Sequence, residues 1–179
     1  VLRLSVGAEV ILFTGDGFDY RARLVELTRR GTKAQVLEQQ PNHAVSPFDI
    51  TLCQAINRGD RMDYCLQKAT ELGVRAIRLL LSERVEVKLS DSRLDKRMDH
   101  WRGVIRSACE QSGRATIPEL HPPVSLDDWS RSEGMKLVLD ASGQNALSQM
   151  ELGKSVALAI GPEGGFSVAE LTRISGKGV

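Results

Sequence analysis

The stretch Ser155-Val156-Ala157-Leu158-Ala159-Ile160 runs directly into Gly161-Pro162-Glu163-Gly164-Gly165-Phe166-Ser167-Val168-Ala169-Glu170. The first six residues form a short apolar run bounded by turn residues, the pattern of a buried strand. Ser167 and Glu170 form a capping box. The serine hydroxyl can accept from the Glu170 amide, and the Glu170 carboxylate can reach back to the serine amide. A strand, a corner of three glycines and a proline, and a helix are therefore set in that order. The corner opens a helix N-terminus, where free N–H groups and the helix dipole are available to a ligand. A tight turn without a ligand and a ligand-holding corner are both open at this point.

The rest of the chain repeats the theme. Ile50 to Ile56 reads as a strand, and Gly59-Asp60 opens a helix with Asp60 as N-cap. Met62, Cys65, Leu66, Ala69 and Leu72 recur at helical spacing, and Gly73 ends the helix. Ala76 to Leu81 is a buried strand. A helix over 92–111 carries the apolar stripe Leu94, Met98, Trp101, Ile105 and Ala108. Ile117 to Leu120, Leu137 to Leu139 and Val156 to Ile160 are further strands. Alternating strands and helices predict an α/β domain with a mainly parallel sheet covered on both faces.

Residues 1–40 differ. Val10 to Phe13, Tyr20 to Leu27 and Lys33 to Leu37 read as short strands joined by Thr14-Gly15-Asp16-Gly17 and Arg29-Arg30-Gly31, which suggests part of a small β-barrel. Residues 41–48, with Pro41 and Pro47, read as a linker to a second domain over 49–179.

Among 179 residues, 41% are hydrophobic and only 4% aromatic, so the core rests on Leu, Val, Ile and Ala. A net charge of +1 does not by itself mark a nucleic-acid binder, so any basic surface must come from local clustering. Cys53, Cys65 and Cys109 are scattered and lack a C-x-x-C pair, which argues against a zinc knuckle or a disulfide framework. No metal site is expected. No apolar run approaches a membrane span and no signal peptide is evident, so a soluble cytoplasmic protein without a membrane partner is expected.

The glycine corner fails two phosphate tests. Gly153-Lys154-Ser155 resembles the end of a Walker motif, but Ser148 stands where its first glycine should be, and the lysine precedes a strand. G-P-E-G-G also does not match a dinucleotide fingerprint. Glu163 would repel a phosphate. A ligand with positive charge and no phosphate fits better, and S-adenosylmethionine is one.

Gly161 to Ser167 with Glu170 resembles the signature loop of bacterial 16S rRNA uridine-N3 methyltransferases of the SPOUT superfamily. Three other stretches resemble the same family. They are Gly59 to Asp63 through Gln67 to Val74; Ser82-Glu83-Arg84 with Val87-Lys88; and Trp101 with Ala108 to Arg114. Val1 to Leu4, Gly7 and Phe13 resemble the family's N-terminal PUA-like barrel, entered part-way. The resemblance implies a trefoil-knot methyltransferase domain, S-adenosylmethionine as methyl donor, 16S rRNA of the small ribosomal subunit as substrate, and a homodimer. In the family a strand and a loop of the form L-G-x-R-x-L-R-x-E-T-A follow the capping-box helix. This chain ends at Val179, so the resemblance implies a knot segment and a second pocket wall beyond it, and a first barrel strand before Val1.

On that resemblance Leu139, Asp140, Ile160, Gly161, Pro162, Glu163, Gly164 and Gly165 are the expected cofactor-binding residues. Glu163 either meets the cofactor's positive end or braces the loop, with bracing favoured. Arg84 is the best catalytic candidate; its alternative is an ion pair with Glu83 or Glu86. Arg3, Arg61, Arg84, Lys88 and Arg114 are candidate RNA contacts, while Arg61 also suits a structural contact. Arg93, Lys96, Arg97, Arg102 and Arg106 are expected on a solvated helix face, and His100 at the surface. No residue stands out as the general base. Two other functions share this scaffold: a SPOUT methyltransferase acting on another RNA such as tRNA, and a non-catalytic RNA-binding or ribosome assembly factor.

Overall fold

A computed structural model describes residues 4–83, 91–141, 143 and 146–175. Strands β1 (Glu9–Leu12), β2 (Phe18–Thr28) and β3 (Gly31–Pro41) form one antiparallel sheet in the order β1-β2-β3. The β2–β3 turn is held by the Thr28 hydroxyl, which accepts from the amides of Arg30 and Gly31. β3 runs to Pro41, and no helix or strand forms over 42–48. Asn42 nevertheless donates to Asp19 at 2.8 Å and to the Gly113 carbonyl at 2.9 Å, fastening the start of this stretch to both sides.

The remaining described elements are β4 (Asp49–Ala55), α1 (Asp60–Glu71), β5 (Ala76–Leu81), α2 (Asp91–Ser112), β6 (Glu119–Ser125), α3 (Leu126–Ser130), β7 (Lys136–Leu139), a short 3-10 turn (Leu147–Gln149), β8 (Ser155–Ile160) and α4 (Val168–Ser175). The five strands form one parallel sheet in the order β6-β5-β4-β8-β7. Side chains alternate across it. Leu52, Ile77 and Leu79 pack with Met62 and Leu66 of α1 and Met98, Trp101 and Ile105 of α2. Cys53, Ala55, Leu80 and Ala159 pack on the other face with Leu126, Trp129, Phe166 and Ile174. The expected α/β class with a parallel sheet covered on both faces is what forms.

Two local expectations are corrected. Gly59, not Asp60, is the N-cap of α1. Its φ is 54° and no side chain caps the helix; Asp60 and Asp63 instead sit in the first turn, where acid suits the dipole. The long helix expected over about 92–111 forms from Asp91 to Ser112. The third parallel strand is Glu119–Ser125 rather than 117–120, and it contains Pro122 and Pro123. β6 is an edge strand, which tolerates the missing N–H groups, and its ladder with β5 slips between Arg78 and Leu80, beside the prolines. Helix α3 follows β6 directly, five residues long and capped by Ser125.

The strand order positions the site. From β4 the chain builds outward through β5 to β6, then returns on the other side with β7 and β8. The direction reverses between β4 and β8, and in such sheets ligands bind outside the carboxyl ends of the strands at that point.

Candidate functional site

The loop that leaves β8 at this switch point is the glycine corner. It doubles back tightly: a Cβ on Gly161 would lie 2.8 Å from the Phe166 nitrogen and 2.9 Å from the Gly165 carbonyl carbon. Both are backbone atoms, so only glycine fits without opening the loop. Gly165 has φ of 68°, which favours glycine, and its N–H donates to the Pro162 carbonyl at 2.8 Å. A Cβ there would meet no protein atom within 4 Å, so the backbone faces open space. Pro162 is buried, and Phe166 anchors the loop in the α3–α4 core. Glu163, Gly164 and Gly165 are exposed between these anchors.

The capping box forms as expected. The Ser167 amide donates to Glu170 Oε2 at 2.8 Å, and the Glu170 amide donates to the Ser167 hydroxyl at 3.1 Å. Ile160 lies in register between Gln54 of β4 and Leu139 of β7. Leu139 is 49% exposed at the strand end, an apolar surface beside the glycines. The Asp140 carbonyl accepts from the Gly143 amide at 3.0 Å, turning the chain directly after β7. Leu139, Asp140, Ile160 and the glycine loop thus gather at adjacent strand ends. Bare backbone, an apolar wall and an acidic group suit a cationic ligand without phosphate.

Arg61, in the first turn of α1, forms an ion pair with Glu163 at 3.1 Å. The Glu163 carboxyl is held below its ordinary value by its own backbone N–H and by Arg61, against some desolvation. This contact ties the tip of the glycine loop to the first turn of α1 and engages the Arg61 guanidinium.

Arg114 is a correction. Only 7% exposed, it donates to the Thr70 carbonyl at 2.8 Å and the Val74 carbonyl at 2.7 Å. It satisfies carbonyls at the C-terminal end of α1, so its guanidinium faces inward rather than toward RNA. Arg3, Arg84 and Lys88 lie outside the described residues. Arg93, Lys96, Arg102 and Arg106 are exposed on α2 as expected. Arg97 stacks over the Trp101 ring, 5.3 Å from its centroid. His100 is exposed and within 2.7 Å of Asp63. Burial pushes the Cys53 thiol up to about 11, in keeping with an inert core cysteine.

Three contributors were not anticipated. Gln54, 2% exposed, donates to the Gly161 carbonyl at 3.3 Å. Glu83, two residues beyond β5, accepts from the Ser167 hydroxyl at 2.8 Å and from Arg173 at 3.1 Å. An amide side chain inside the mostly apolar strand over 50–56 is the signal for Gln54; the Glu83 and Arg173 contacts join distant segments and leave no local one. Among the described residues no helix is long and apolar enough to cross a membrane, and no cluster of His, Cys, Asp and Glu could hold a metal ion.

Residues 44–179 match the family model of an RNA methyltransferase domain, and residues 1–37 that of an RNA methyltransferase PUA domain. The chain is 31% identical to a ribosomal RNA small subunit methyltransferase E of Mycobacterium bovis, covering 99% of this chain and 71% of that protein. It is 29% identical to the protein of that name from Buchnera aphidicola, covering 97% and 72%. A Legionella pneumophila structure with bound S-adenosylmethionine superposes with a TM-score of 0.93 at 37% identity, covering 98% of this chain and 74% of that one. A ribosomal RNA small subunit methyltransferase E of Neisseria gonorrhoeae, also bound to S-adenosylmethionine, gives 0.91 at 34%, with 98% and 74% covered.

Proposed function

Because this chain belongs to the ribosomal RNA small subunit methyltransferase E family, we propose that it methylates N3 of a uridine in 16S rRNA, with S-adenosylmethionine as donor. The observation that carries this reading is the glycine loop at the β4–β8 switch point. Its exposed backbone, between a buried Pro162 and a core-anchored Phe166, is a preformed surface for a ligand that must approach closely.

Backbone groups of Gly161, Pro162, Gly164 and Gly165 hold the cofactor in this reading, with Ile160 and Leu139 as its apolar wall and Asp140 and Glu163 as nearby acidic groups. S-adenosylmethionine supplies an electrophilic methyl on a sulfonium centre. The protein supplies proximity and a site for developing charge. Uridine N3 carries a proton between two carbonyls and becomes a good nucleophile only once that proton leaves. A cation beside the uracil would stabilise the resulting anion, and Arg84 is assigned that role. Arg3 and Lys88 are assigned to RNA phosphates, while Arg61 is engaged by Glu163. The target base must be unpaired or flipped, because N3 lies on the pairing edge.

The same proposal includes a PUA-like RNA-holding domain over 1–40, a linker over 41–48 and a trefoil-knot catalytic domain from 49. It also includes a homodimer with the knot region in its interface, acting in the cytoplasm on the small ribosomal subunit. Calorimetric titration with S-adenosylmethionine should give one site per protomer, and an absence of binding would overturn the reading. Nucleoside mass spectrometry of 16S rRNA should show 3-methyluridine lost when the gene is deleted. Loss of a modified nucleoside from tRNA instead would redirect the substrate.

A further inference from the structure

Glu170 does more than cap its own helix. In a capping box the carboxylate answers one N–H at the helix start. Here the side chain is 1% exposed and both oxygens are used. Oε2 accepts from the Ser167 amide at 2.8 Å, and Oε1 accepts from the Glu83 amide at 2.8 Å, 87 residues away in sequence. One buried carboxylate thus joins the loop after β8 to the loop after β5.

Those loops have no other regular connection. β4 lies between β5 and β8 in the sheet, so no ladder hydrogen bond links their ends. Side chains reinforce the join. Ser167 Oγ donates to Glu83 Oε2 at 2.8 Å, Arg173 donates to Glu83 Oε1 at 3.1 Å, and Arg173 also pairs with Asp127 at 3.0 Å. The bonding needs a carboxylate specifically. It receives two N–H donors, and an amide of the same shape would turn its own N–H2 toward one of them.

We propose that Glu170 is a positioning residue for methyl transfer: it fixes Glu83 and the chain just after β5 against the loop that holds the cofactor. This inference rests on the methyltransferase reading above. Both loops lie at the carboxyl ends of their strands, so the cross-link spans the place where cofactor and RNA must meet. Its contribution lies in alignment, to which methyl transfer is steeply sensitive.

The test uses the full chain carrying Glu170→Gln, with Thr172→Gly as control. Thr172 is exposed on the same helix, and its hydroxyl donates to the Val168 carbonyl. The control weakens α4 without touching the cross-link. Three quantities are measured: the Kd for S-adenosylmethionine, the single-turnover methylation rate at saturating cofactor and RNA, and amide exchange at Glu83. For E170Q the expected result is a Kd within about threefold, a rate lowered about tenfold or more, and faster exchange at Glu83. T172G should lower Tm yet keep its rate within about twofold of wild type. A rate loss that T172G reproduces at equal loss of Tm, or that vanishes when cofactor is raised, overturns the positioning role. Unchanged protection of the Glu83 amide in E170Q overturns the cross-link itself. A wild-type protein that binds no S-adenosylmethionine overturns the methyltransferase reading, a result distinct from both.

Discussion

Arg61 and Glu163 form an ion pair at 3.1 Å that links the first turn of α1 to the exposed tip of the glycine loop. Their side chains are 72% and 40% exposed, so the pair contributes little to global stability. Its effect is local, because it holds the loop that would receive the cofactor. Arg61→Ala should leave Tm within about 2 °C and weaken S-adenosylmethionine binding about three- to tenfold by loosening that preorganised surface. Isothermal titration of both proteins checks this, and equal affinities would show that the pair does not shape the site.

The same pair sets a pH dependence. The Glu163 carboxyl titrates below its ordinary 4.5 in the folded protein, through its backbone N–H and Arg61. A depressed acid stabilises the folded loop above the unfolded value and loses that contribution as pH falls through the folded value. The contribution of Glu163 to cofactor affinity should therefore be constant from pH 8 down to about 5, and be lost only in more acidic solution. The ratio of affinities for wild type and Glu163→Gln, followed from pH 8 to 4, should converge only at the acid end.

What could be read in advance followed from repetition. β5 is found at its full span because a strand buried on both faces shows as an apolar run, here interrupted only by Arg78. The capping box marked α4 because both partners lie within one helical turn. Helix α3 escaped because five residues carry no usable periodicity; its one signal is Ser125, whose hydroxyl accepts from the Asp128 amide at 3.0 Å. β6 was misplaced because Pro122 and Pro123 count against a strand unless its edge position is known. Arg114 was misassigned because its partners, the Thr70 and Val74 carbonyls, lie 44 and 40 residues away.

That placement of Arg114 makes a prediction of its own. Arg114→Met keeps much of the apolar stem and removes the donors to Thr70 and Val74. The Thr70 carbonyl keeps the Gly73 amide at 3.1 Å while the Val74 carbonyl loses its Arg114 donor, so the protein should be destabilised by about 1–3 kcal/mol in urea titration. RNA affinity, measured at low temperature where the variant stays folded, should remain within about twofold of wild type. Weakened RNA binding without loss of stability would restore the contact role read from the sequence.

Gly161 and Gly103 offer a matched pair of glycine substitutions. A Cβ at Gly161 meets backbone atoms below 3.0 Å, whereas one at Gly103 in α2 meets nothing within 4 Å. Gly161→Ala should lower stability by about 1–3 kcal/mol through overpacking and reduce S-adenosylmethionine affinity more than about tenfold. Gly103→Ala should raise stability by up to about 1 kcal/mol and leave affinity unchanged. Thermal unfolding with and without cofactor separates them, and normal binding by G161A would show that the loop tolerates being opened.

Gln54 ties the central strand to the same loop. Its amide nitrogen donates to the carbonyls of Gly161 at 3.3 Å and Ala55 at 3.0 Å, and its oxygen accepts from the Cys65 thiol at 3.3 Å. Gln54→Leu retains the volume but leaves two carbonyls without this donor, so stability should drop by about 1–3 kcal/mol and the cofactor Kd should rise several-fold. Gln54→Glu is the sharper test. Ionised, it turns a buried negative oxygen toward two carbonyls and should be less stable than the leucine variant at pH 7.5. Burial favours its neutral form, which again carries a donor, so its deficit relative to wild type should shrink as pH falls toward 5. Urea titrations of the three proteins at both pH values decide it. A glutamate variant as stable as wild type at pH 7.5 would mean that the Gln54 bonds do not hold the loop.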